Sequence, residues 1–306
     1  MNEYEDLNRK DNQMGVTIIA DAVSNLFQDI LKEKNLNIRV MSLHLKIGDK
    51  DYSCYDDPID IKEFSKTYYE EMAKGADVKT SLVSPGNFEE AFEEEIAKGN
   101  KVVCFTMAKG ISGTYNSACL AKDTVNEKHQ GTYVEVIDCM TAGLGEGLQA
   151  IHAYELTKEG KSFEEIVKEC EEFKHYVRSD FTVDDIKFLL KTGRVGKALA
   201  RFVHLLNIKI LLKRNDESKI AFAGSAVGIN NAIKQLAKIV INNIDMNKEQ
   251  TVYITHCNVI DNANKLKAIL EEAGIKNIEI YYYDLISGAH IGPGSIAVFY
   301  VAKEAY

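Results

Sequence analysis

Four hydroxyl-bearing residues, one histidine and one arginine sit where the chain could do chemistry. Thr80 and Ser81 are adjacent hydroxyls just upstream of Ser84-Pro85. Ser84 is accounted for locally, because Ser as N-cap with Pro at the first helical position opens a helix. Thr80 and Ser81 have no such local duty. Ser112 and Thr114 flank Gly113 in Gly110-Ile111-Ser112-Gly113-Thr114, between an apolar strand-like run and a helical one. Hydroxyls and backbone N–H groups at a helix start can receive a carboxylate or phosphate. The plainer role there is a Ser112 cap beside a flexible glycine. His290 lies in His290-Ile291-Gly292-Pro293-Gly294, expected as a Gly/Pro-rich loop where the backbone can approach a ligand closely. Arg194 closes the turn Thr192-Gly193-Arg194, where a cation at a helix C-terminus is favoured by the dipole. Hydroxyls, helix amides and a histidine together suit an anionic oxygen group.

Missing motifs narrow the chemistry. Gly143, Gly145 and Gly147 follow a strand, but the third glycine of a dinucleotide fingerprint would fall at Leu148. No P-loop, H-E-x-x-H helix or EF-hand loop is present, so neither ATP binding through a P-loop nor a metal is expected. The esterase elbow G-x-S-x-G is absent around Ser112. The six cysteines are never closer than 15 residues apart, which excludes C-x-x-C redox and zinc knuckles and fits reduced thiols in a cytoplasm. With 37 Lys plus Arg against 46 Asp plus Glu, the net charge of −9 argues against nucleic acid as a partner. No apolar run approaches the roughly 18 residues of a membrane span, and the polar start MNEYEDLNRKDNQ does not resemble a secretory signal.

Short apolar runs alternating with amphipathic helices must position these residues. Strands are expected at 15–20, 102–107 and 133–137, and helices at 60–73, 88–97, from 114 and near 149. Ser162 with Glu165 forms a capping box at the start of a further helix. Such alternation implies an α/β fold with a mostly parallel sheet, helices on both faces, and ligands at the carboxyl ends of the strands. The second half reads as another α/β domain: strands at 181–183, 208–212, 220–223, 252–255, 278–283 and 296–301, with helices at 186–191, 198–206, 230–243 and 262–273. The expected organisation is a polar extension over 1–13, an N-terminal domain over 14–177 and a C-terminal domain over 178–306.

Taken in order and spacing, Ile19-Ala20-Asp21, TSLVSPGNF at 80–88, SGTYNSA at 112–118, VID at 136–138, VDD at 183–185 with Thr192-Gly193-Arg194, LLNIK at 205–209 and HIGPG at 290–294 resemble the DegV family from about Val16 onward. The resemblance implies a two-domain protein that holds one long-chain fatty acid at the domain interface. Some members serve as the fatty-acid-binding subunit of a bacterial fatty acid kinase, with a separate ATP-binding protein phosphorylating the acyl carboxylate. Carried over by motif, Thr80, Ser81, Ser112, Gly113, Thr114 and His290 would bind the carboxylate, and Arg194 would meet the kinase. Beyond the bound acid, no cofactor is implied. Leu82-Val83 replace the Gln-Pro of many relatives, and Ala22 replaces a serine. The segment 226–231, basic in many kinase-coupled relatives, carries Val227 and Ile229 and no Lys or Arg. That last departure bears on kinase docking more than on lipid binding. The competing chemical reading is a hydrolase with Ser112 as nucleophile, His290 as base and Asp21 as orienter.

Overall fold

A computed structural model describes residues 14–55, 60–196, 199–200 and 207–306. The polar extension over 1–13, most of the helix expected over 198–206, and Leu205-Leu206 of the LLNIK motif lie outside the described residues.

The first half is built on a parallel sheet. Strands β1 (Gly15–Asp21), β2 (Ile38–Met41), β6 (Asn100–Thr106) and β7 (Val134–Asp138) run in the order β2-β1-β6-β7, every pair parallel. β6 is buried from Lys101 to Thr106, as its apolar run demands of a central strand covered on both faces. Residues 36–47 are rich in apolar side chains but form two strands, not one. The first is β2, and the second is β3 (His44–Ile47), which joins β4 (Lys50–Ser53) and β5 (Val78–Thr80) in a separate three-stranded antiparallel sheet. The polar alternation of β3 explains the split: only Leu45 is buried, so β3 suits a one-sided sheet.

The helices of this half are α1 (Gln28–Glu33), α2 (Ile61–Ala73), α3 (Pro85–Ala97), α4 (Thr114–His129), α5 (Leu144–Lys158) and α6 (Phe163–Phe173). Ser84 caps α3 by accepting from the Asn87 N–H, with Pro85 in the first turn. The Ser162–Glu165 capping box at α6 is reciprocal, as its spacing requires.

A six-stranded sheet in the order β10-β9-β8-β13-β11-β12 organises the second half. Its strands are β8 (Val177–Val183), β9 (Ile208–Arg214), β10 (Ile220–Val227), β11 (Val252–His256), β12 (Ile278–Tyr282) and β13 (Ile296–Val301). All pairs are antiparallel except β11–β12. Helices α7 (Lys187–Thr192), α8 (Ile229–Asn243), α9 (Ile260–Glu272) and α10 (Leu285–Ile291) complete it. Gly193 ends α7 at φ 70°, the left-handed C-cap that its position after Thr192 indicates.

A large apolar core contains Ile18 and Phe105 of the first half together with Phe181 and Phe299 of the second. A smaller core lies among α8, α9 and the second sheet. The halves therefore share buried apolar contacts in addition to their chain connection.

Candidate functional site

The carboxyl ends of β6 and β7 open onto a cavity of about 500 Å3, inside the roughly 300–1,000 Å3 usual for small-molecule sites. From the first half, Leu43, Thr80 to Leu82, Met107 to Gly113 and Met140 to Ala142 form its wall. The second half contributes Ser179, Phe181, Leu189, Arg194, Arg214, Ser287, His290 and Ile291, among others. The strand-end position follows from the parallel sheet, since β6 and β7 end side by side with Thr106 paired to Asp138.

Thr80, Ser81, Ser112, Gly113, Arg194 and His290 all line this cavity. Thr80 ends β5 and Ser81 follows it, so they leave a strand rather than a free turn. Thr114 is set back: it is fully buried and absent from the wall, and its hydroxyl lies 3.0 Å from Ser112 Oγ. Ser112 Oγ also accepts from the Thr114 N–H at 3.2 Å. Gly113 is the N-cap of α4 and brings no capping side chain. The next amides of that first turn have no intrahelical acceptor.

His290 differs from its expected loop setting. It stands in the last turn of α10, which Asp284 caps by accepting from the Ser287 N–H at 2.6 Å. Gly292, at φ 82°, stops the helix and packs where a Cβ would strike the Phe188 ring. The glycines that suggested a loop thus serve as the helix terminus. His290 Nε2 lies 3.2 Å from Thr80 Oγ1, while Nδ1 is buried with no hydrogen-bond partner. Burial, and to a lesser extent the Arg194 charge, push its pKa down to about 4, so the imidazole is neutral near pH 7. Arg194 donates from Nη1 to the Thr192 carbonyl at 2.6 Å, and burial lowers its pKa too.

The hydrolase triad is not assembled. Ser112 Oγ is engaged with Thr114, His290 with Thr80, and Asp21 accepts from the backbone N–H groups of Val23 (2.8 Å) and Met107 (3.1 Å). A base without its orienter, and a nucleophile without its base, lack the contacts a triad needs. Asp21 serves instead to hold the β6 exit at Met107. It neighbours Glu146, whose Oε1 accepts the Asp21 N–H at 2.9 Å, and burial raises the pKa of both carboxyls, that of Asp21 to about 6. Among the described residues, no group of three or more His, Cys, Asp or Glu could hold a metal ion.

Sequence reasoning passed over Met107, Phe181, Ser179 and Arg214. A usable signal existed for Arg214: period-two alternation puts it on the same face as buried Leu212, with exposed Lys213 between them.

A family model described as "Uncharacterised protein, DegV family" matches residues 15–303. The chain belongs to the DegV family. A DegV domain-containing protein of Clostridium perfringens is 32% identical to this DegV-family chain over 285 residues, covering 93% of it and 96% of the relative. A DegV family protein from Thermus thermophilus, solved under the description "fatty acid binding", has a TM-score of 0.80 at 25% identity, covering 94% of this chain and 100% of its own. The fatty acid kinase (Fak) B3 protein of Streptococcus pneumoniae, loaded with linoleic acid, has a TM-score of 0.77 at 22% identity, covering 94% and 99%. At that identity the likeness is one of fold, and it is the two-domain α/β fold that the DegV motifs imply.

Proposed function

We propose that this DegV protein binds one long-chain fatty acid in the cavity between its halves and presents the carboxylate, without catalysing a reaction itself. The observation that carries this reading is that Thr80, Ser81, Ser112, Gly113 and His290 bound one cavity, with Thr80 Oγ1 3.2 Å from His290 Nε2, and that Met107, Ile111, Phe181, Leu189 and Ile291 line it too. Neutral hydroxyls, an amide and an imidazole can surround a carboxylate without burying a competing charge. Thr114 acts through Ser112, whose hydroxyl it orients. Apolar walls take the tail, at about 0.8 kcal/mol per methylene removed from water. The fatty acid binding described for the Thermus thermophilus relative supports the same reading.

A domain boundary near 177/178 belongs to this proposal: the parallel sheet is complete by Asp138, and the six-stranded sheet begins at Val177. Arg194, on the cavity wall, is the residue proposed to face a separate ATP-binding kinase subunit. The linoleic-acid-loaded Fak B3 relative supports that partner class. Cytoplasmic placement accords with six free cysteines, five of them buried. No helix among the described residues is long and apolar enough to cross a membrane. The reading requires no cofactor beyond the bound acid.

Titration with palmitate tests the head-group assignment. Ser112→Ala should raise the dissociation constant by about tenfold or more, one hydrogen bond to a charged group being worth about 1.5–3 kcal/mol, with the protein still folded. An unaltered affinity would refute the role of Ser112.

A further inference from the structure

The cavity has a second polar pole that the carboxylate site does not use. Arg214 lies on its wall and is only 4% exposed. Its Nε is buried without a hydrogen-bond partner. Its other contacts are long: Nη2 reaches the Lys174 and His175 carbonyls at 3.4 Å each, and Nη1 reaches Met140 Sδ at 3.7 Å. The guanidinium stacks on Tyr306 at 3.7 Å, as does that of Arg178 on the same ring. Arg178 has the charge of Asp180 and two short carbonyl contacts, whereas Arg214 feels the charges of Asp216 and Asp138 but reaches its carbonyl acceptors only at 3.4 Å. Of these carboxylates, Asp138 is already bound by Lys109, the Met140 N–H and Ser218. A buried guanidinium left this short of acceptors is costly unless something else supplies one.

Strand register separates this pole from His290, the second-half member of the carboxylate site. Asp180 pairs with Lys213, so Arg214 stands level with Ser179 at the start of β8. His290 stands past the other end of β8: the loop after it packs Gly292 on Phe188 and Gly294 on Asp184, both beyond Val183. From Ser179 to Val183 is four strand steps, about 13 Å at 3.3 Å each. Phe181 lies between, facing the same cavity.

We propose that Arg214 is a specificity determinant that selects an acyl chain bearing an oxygen function, a hydroxyl or a second carboxylate, distant from its head group. The inference rests on the fatty acid reading above and deepens it. A fatty acid anchored at Thr80, Ser112 and His290 runs its tail past Phe181 toward Arg214, where a plain methylene chain leaves the guanidinium unmet and an oxygen acceptor satisfies it. Ser179, beside Arg214 on the wall, offers a further hydroxyl to the same group.

Competition binding to the full chain tests this, with stearate compared against a mid-chain hydroxystearate, ω-hydroxystearate and octadecanedioate. At least one oxygenated acid should bind about tenfold more tightly than stearate, as one hydrogen bond to a charged donor allows. In Arg214→Met, the ratio of the two affinities should fall to about one. Stearate binding best of all in the wild type would overturn the proposal, and so would a preference that survives in Arg214→Met. The wild-type comparison decides even if the variant does not fold. Loss of all binding in Arg214→Met with full binding retained in Ser112→Ala would place the head group at Arg214 and overturn it as well. Failure of the wild type to bind any of the four acids would refute the fatty acid reading itself, a separate result.

Discussion

At the residue scale, the proposed head-group end holds its histidine uncharged beside a permanent cation, Arg194. His290 is neutral because burial and Arg194 disfavour the imidazolium. Its neutral ring next to Thr80 offers directional hydrogen bonds instead of a permanent cation. The depressed pKa also has a sign in stability. The unfolded chain takes up a proton on His290 below about pH 6.5, while the folded chain resists until about pH 4. The stability His290 contributes is thus intact above the unfolded value and lost as pH falls through that window. His256 is pushed down to about 4 by burial as well, so the comparison must isolate one residue. His290→Gln should lose less stability than the wild type in urea unfolding as pH falls from 6.5 toward 4. Equal losses would mean that His290 titrates normally in the folded protein.

At the element scale, α10 is the piece that carries second-half chemistry to first-half hydroxyls. Helix α2 holds it from the first half. Tyr68 Oη donates to the Leu285 carbonyl at 2.9 Å and Tyr69 Oη to that of Tyr283 at 3.1 Å, both rings fully buried. The fit depends on Gly288, where an added Cβ would fall 2.0 Å from Tyr69 Oη. Tyr69 cannot swing away without leaving its buried acceptor. Gly288→Ala should therefore cost about 1–3 kcal/mol and also weaken palmitate binding by displacing His290, which thermal unfolding and titration would both register. Unchanged stability would show that α10 is not held this way.

The elements themselves were largely legible in the sequence. The buried strands β1, β6 and β7, the Ser84-Pro85 start of α3, the Ser162–Glu165 box and the Gly193 cap all follow from local rules that tertiary contacts reinforce. Three features were not. The short, half-exposed strands β3, β4 and β5 carry too little periodicity to separate from loop. Helix α10 is only seven residues long, and its terminal glycines mimic a loop signature. Alternation with Leu212 signals that Arg214 is buried, but its role depends on the cavity and on Tyr306, nearly a hundred residues away in the chain.

At the scale of the whole molecule, the cavity exists because two sheets of different construction meet. The parallel sheet supplies strand ends and a helix N-terminus, and the mostly antiparallel sheet supplies Phe181, Arg214 and, through α10, His290. Neither half contains the complete proposed donor set, and an apolar core shared by the two halves packs them together. Although the net charge is −9, no Asp or Glu among the described residues lines the cavity, so an anionic ligand meets no like charge on its wall. Segment 226–231 lacks Lys and Arg, and Val227 is 62% exposed there, so a partner docking over β10 would meet an apolar edge rather than a basic one. Native mass spectrometry of the purified full chain tests the central claim most directly. The account predicts a stoichiometric adduct with the mass of one long-chain fatty acid, reduced in occupancy by Ser112→Ala; a chain that is consistently unliganded and takes up no added palmitate would contradict it.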